Sequence, residues 1–164
     1  MAPTLQDVSY LLGLPIAGEA VGPVAVPPFW RAELQERFAP VNPPLFVNVP
    51  DAPGPAKSWV IQFRAQDLHP LAGQYEVSRC LKAYLLWLSG WTLFCNYSGN
   101  YVDKILIQYA RAIADAEPGQ VPAWSWGSTV LAATYRGLCQ ACFKTERTAV
   151  ITGCPLLLQL WSYE

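Results

Sequence analysis

Cys139-Gln140-Ala141-Cys142 is the one cysteine spacing in the chain that chemistry could use directly. A C-x-x-C pair can serve as a redox couple or as half of a tetrahedral zinc site. A redox couple gains from a helix amino terminus, where the dipole favours a thiolate. This pair falls late in an expected helix, where the dipole acts the other way. A zinc site needs two more ligands, and Cys80, Cys95 and Cys154 are scattered singly. The pair therefore reads as structural thiols, with a metal-binding or redox fragment built on Cys139 and Cys142 as the alternative. Five cysteines are an odd count, poor material for a disulfide framework. Met1-Ala2-Pro3-Thr4 lacks the basic and apolar regions of a signal peptide, so reduced thiols inside the cell are expected. On that ground the sequon Asn96-Tyr97-Ser98 is read as a chance match.

Other chemistry is sparse. His69 is the single histidine, and no G-x-S-x-G, G-x-x-x-x-G-K or G-x-G-x-x-G occurs. No catalytic residue, cofactor or metal ligand is expected. The residues left for binding are Trp30, Trp124, Trp126 and Trp161 with Arg136, because Trp and Arg are enriched in interface hot spots. The same tryptophans at helical spacing serve equally as core anchors. Eleven basic residues against twelve acidic ones, with no basic run, predict no direct DNA or RNA binding. Charged residues make up 14% of the chain, where roughly 25% is usual, and 52% is hydrophobic. Disorder is excluded by that balance. Apolar surface in want of cover is implied, on the Tyr75–Cys95 and Ser125–Phe143 helices above all, and with it self-association of the isolated chain.

Positioning these residues falls mostly to helices. Thr4 and Asp7 form the start signal of a helix over Leu5, Val8, Leu11 and Leu12, and Gly13 suits its left-handed stop. Leu14 to Val21 reads as two β-like pieces around a glycine, a small hairpin. A helix is predicted from about Pro28 to Phe38, and six prolines make about 39–56 an extended loop. A short helix follows near 57–66. From Tyr75 to about Cys95, Glu76, Arg79 and Lys82 form a polar stripe before the helix enters the core. Asn100 is the expected cap of the next helix. In it Val102, Ile105, Leu106, Tyr109 and Ile113 face inward, and Lys104, Gln108, Arg111 and Asp115 face water. Helices over about 125–143 and 149–163 complete the chain. The uncharged runs Ala83–Cys95 and Thr148–Tyr163 span 13 and 16 residues, short of the roughly 20 a membrane helix needs, so no membrane is expected. The fold class predicted is mainly α, an irregular helical domain with a small β-hairpin near the N-terminus, in one unit over 1–164.

Four blocks carry a resemblance. PTLQDVSYLLGLPIAGEAV (3–21), SGNYVDKILIQYARAIAD (98–115), WSWGSTVLAATYRGLCQAC (124–142) and CPLLLQLWSYE (154–164) resemble, in order, the blocks of the plant mobile domain. That family, often labelled aminotransferase-like, includes the MAIN-like proteins and occurs in cellular genes and plant retrotransposons. The resemblance implies a nuclear role in transposon and gene silencing, genome stability and meristem maintenance, through protein partners that include a phosphatase-like protein. The family usually carries more chain before the first block and a basic residue after the last, so a partial domain, or a mobile-element remnant, is expected. The aminotransferase label finds no support: pyridoxal chemistry needs a Schiff-base lysine and a phosphate cup. The lysines are Lys57, Lys82, Lys104 and Lys144; none has a Gly/Ser-rich flank, and Lys82 and Lys104 are expected on solvated faces.

Overall fold

A computed structural model describes residues 2–22, 24–38, 54–63, 65–96, 99–144 and 150–163. Seven α-helices lie among them: α1 Leu5–Leu12, α2 Trp30–Arg37, α3 Lys57–Val60, α4 Gln74–Leu88, α5 Ile105–Ala114, α6 Trp126–Cys142 and α7 Pro155–Ser162. The chain divides into two compact units, one of residues 1–22, 91–99 and 123–164 and the other of 23–90 and 100–122.

In the first unit α1 packs against α6 and α7. Its start is the capping box the sequence predicts: Asp7 N donates to Thr4 Oγ1 at 3.3 Å and Thr4 N to Asp7 Oδ2 at 2.7 Å. Gly13 closes it at φ 64°, where any side chain would be strained. Val8, Val130, Cys154 and Leu157 are fully buried. Thr134 ties this core together. Its Oγ1 donates to Val130 O at 2.8 Å and accepts from Cys154 N at 3.1 Å, so a buried hydroxyl has both roles filled.

The expected hairpin at 14–21 is not formed, and the described residues contain no strand. Glu19 bridges instead to distant Trp124: Glu19 N donates to Ala123 O and Ser125 N to Glu19 O, each at 2.8 Å. The main-chain partner of this segment thus lies over a hundred residues away rather than within it. A second isolated pair joins Cys95 and Gly153. Close approach of main chains explains Gly137, since a methyl there would come within 2.7 Å of the Thr152 carbonyl carbon.

In the second unit α4 packs along α5, and α3 against α4. Its core centres on three rings in edge-to-face contact: Phe38–Trp59 at 4.9 Å, Phe38–Phe63 at 4.5 Å and Trp59–Phe63 at 4.9 Å. Asn100 does not cap α5. Its carbonyl accepts from Lys57 N at 2.9 Å, while Asp103 Oδ1 takes the helix-starting role by accepting from Ile105 N at 3.0 Å. The α-helical part of the Tyr75–Cys95 prediction ends at Leu88 and passes into a π-helical turn at Ser89–Leu93. Of the expected loop at about 39–56, residues 39–53 lie outside the described residues, as do Tyr97 and Ser98 of the sequon.

Candidate functional site

The tryptophans singled out by the sequence fall in both units, Trp30 in the second and Trp124, Trp126 and Trp161 in the first. Trp30 is buried at the start of α2 with the Arg31 guanidinium 5.2 Å from its ring centre. Trp124 and Trp126 meet edge-to-face at 5.9 Å in the first unit, where Phe94 lies 6.4 Å from Trp126. Trp161 is half-buried on α7, and Arg136 is exposed on α6. Cys139 and Cys142 are exposed one turn apart, and no group of three or more metal-ligating side chains occurs among the described residues. Burial pushes the Cys154 thiol up, which keeps it protonated and inert at neutral pH.

The second unit holds a polar cleft that sequence reasoning missed. On α4 the spacing of Tyr75, Ser78 and Lys82 places them on one face. The last residue of α2, Arg37, and the residue capping α5, Asp115, close on that face. Asp115 Oδ1 accepts from Lys82 Nζ at 2.6 Å and from Ser78 Oγ at 3.0 Å; Oδ2 accepts from Arg37 Nη1 at 3.1 Å. Arg111 Nε stands 4.0 Å from Oδ2, and its Nη1 reaches Glu33 at 3.4 Å. Tyr75 donates to the Arg37 carbonyl at 2.5 Å. Beside this network lies a cavity of about 280 Å³, lined by Arg37, Tyr75, Ser78, Arg79, Lys82 and Asp115 among others. That is slightly below the roughly 300–1,000 Å³ usual for small-molecule sites.

Lys82 overturns its sequence reading. Instead of ending a solvated stripe, its side chain is 9% exposed. Burial pushes its ammonium below the ordinary lysine value, and the Asp115 hydrogen bond opposes that shift in part. Burial works upward on the Asp115 carboxyl, but the Lys82 and Ser78 hydrogen bonds outweigh it, so the net direction is downward. Asp115 itself is 41% exposed, as expected of a residue at a helix end. The available signal was position: Lys82 sits where the stripe runs into an uncharged apolar run, so an ammonium there must find a partner or snorkel.

The buried Lys82 removes one objection to pyridoxal chemistry, but the residues still do not fit that group. The lysine that would carry the imine is held by the carboxylate beside it, and its flanks Leu81 and Ala83 offer no Gly/Ser-rich phosphate loop. What the arrangement can do is donate hydrogen bonds to an acceptor in the cleft.

A mainly helical unit with a small polar cleft defines a class of chain, and comparison with known proteins sharpens it. The sequence profile of the plant mobile domain matches residues 1–164, and the chain belongs to that family. It is similar to three proteins of Arabidopsis thaliana, each at 32% identity. Protein MAIN-LIKE 2 matches 99% of the chain, and a serine/threonine-protein phosphatase 7 long form homolog 98%; Protein MAINTENANCE OF MERISTEMS matches 54%. The matched regions span 23%, 11% and 17% of those proteins respectively, less than a quarter of each. No solved structure matches the chain. Among the described residues no helix is long and apolar enough to cross a membrane.

Proposed function

We propose that the chain is a non-catalytic protein-interaction module of the plant mobile domain type, acting in the nucleus in transposon and gene silencing, genome stability and meristem maintenance. One observation carries the reading. At 32% identity, 54% of the chain matches a protein named for meristem maintenance and 98% matches one named a phosphatase, as a minor part of each. A unit that recurs beside such different remainders suits an adaptor better than a catalyst. Exposed large apolar side chains support it, with Phe143 at 87% and Tyr163 at 90% exposure. Its partners are proteins, a phosphatase-like protein among them, and self-association follows from the same surface. Direct nucleic-acid binding does not, given a formal net charge of −1.

Tandem purification from plant nuclei tests this. Recovery of a stoichiometric protein partner from the nuclear fraction is the expected result. A tagged chain that stays out of the nucleus, or returns alone at every salt concentration, contradicts it.

A further inference from the structure

We propose that the cleft beside Lys82 is a binding site for a compact oxyanion, a carboxylate or phosphate group. Unmet hydrogen-bond donors at the cavity wall carry it. A lysine ammonium carries three N–H donors and a guanidinium five. Lys82 Nζ contacts Asp115 alone among the described residues, leaving two donors without an acceptor in a side chain that is 9% exposed. Arg37 likewise gives Asp115 one Nη1 contact and keeps further donors at the cavity wall. The Asp115 carboxylate is already engaged. Its Oδ1 takes Lys82 and Ser78, its Oδ2 takes Arg37, and the one Ser78 hydroxyl proton is shared between Asp115 Oδ1 and Ala114 O.

A buried ammonium with two donors left over at a cavity wall is completed by an acceptor from outside. A charged one gains most, because charge-assisted hydrogen bonds are roughly twice as strong as neutral ones. The lining carries Arg37, Arg79 and Lys82 against Asp115 and Glu117. Asp115 is already tied to two of the cations, and Glu117 is exposed to solvent. Near 280 Å³ the space suits a single compact group rather than a nucleotide. The charge of an arriving oxyanion would also offset the depression that burial imposes on the Lys82 ammonium. This inference stands apart from the adaptor reading: the group can be a free anion or the side chain of a partner.

Calorimetric titration of the chain with inorganic phosphate, alongside amide chemical shifts, is the test. Saturable binding that moves the Ser78, Lys82 and Asp115 amides is expected. Lys82→Met and Arg37→Gln should each weaken it about tenfold, the worth of one charge-assisted bond. Arg37 is about a third exposed, so R37Q keeps the test open should K82M fail to fold. A response that sodium chloride reproduces at equal ionic strength, or equal affinity in folded variants, overturns the proposal. Tighter binding of a phosphoserine- or aspartate-bearing peptide than of phosphate places the group on a partner protein. Equal or weaker peptide binding, with phosphate still saturable, makes it a free anion.

Discussion

The unit of residues 1–22, 91–99 and 123–164 is closed mainly by main chain against main chain; the unit of 23–90 and 100–122 has such a bridge too, at Ala56–Tyr101, and adds a buried ring core and an ion network. In the first, isolated bridges at Glu19–Trp124 and Cys95–Gly153 and the approach at Gly137 join distant segments. In the second, Phe38, Trp59 and Phe63 fill the core, and Asp115 gathers cations from α2, α4 and α5. Main-chain closure leaves little to vary at the contact itself. Side-chain closure leaves a cleft with unused donors, and that is where binding chemistry becomes available.

Substitutions distinguish the two kinds of closure. Trp59→Ala should cost most, about 3–5 kcal/mol, because a buried ring with two ring neighbours leaves a cavity. Hydrogen exchange should then show lost protection in α3 and α4; unchanged melting would mean that the triad does not hold its unit. Gly137→Ala follows at about 3 kcal/mol, since the methyl meets backbone that cannot rotate away. A denaturant melt would read it, and a neutral result would refute main-chain closure there.

Asp115→Ala should cost less, about 1–2 kcal/mol. It leaves the Lys82 charge unpaired, but a carboxylate 41% exposed to water is partly screened. The pH dependence follows from the shifts. The Asp115 carboxyl titrates below its ordinary value near 3.8 in the folded chain, so its contribution is present above 3.8 and lost as pH falls through the lower folded value. Asp115→Asn should flatten that acid limb. Thr4→Ala, removing one exposed cap, should cost about 1 kcal/mol in a thermal melt.

Smallest is Lys82→Met, expected within about 1 kcal/mol of the parent at pH 7, because desolvation of the ammonium offsets its ion pair. The folded ammonium titrates below 10.5, so its cost is present at neutral pH and is relieved as pH rises through the folded value. The parent should therefore gain on the variant as pH rises through the lowered folded value toward 10.5; parallel melting curves would remove the buried-charge account.

Local signals were legible and partners were not. Thr4, Asp7 and Gly13 announce α1 because a cap depends on neighbours three residues apart. The predicted 125–143 helix agrees with Trp126–Cys142 within a residue at either end. The segment at 14–21 failed because β-like alternation does not say which chain accepts its hydrogen bonds. Asn100 failed because Asp103, three residues on, offers the same kind of cap closer to the helix. Asp115 does face water, 41% exposed, but Lys82 does not, which helical periodicity misses because it sees one helix at a time. Their contact arises only when α4 lies along α5, and with it the cleft.

The ammonium of Lys82 offers the most direct single reading of this account. Nitrogen-detected NMR of the chain labelled at lysine would follow its titration with and without inorganic phosphate. The account predicts a value below that of an ordinary lysine in the free chain, rising when phosphate is added. An ordinary value, unmoved by phosphate at constant ionic strength, would contradict both the burial of the charge and the role of the cleft.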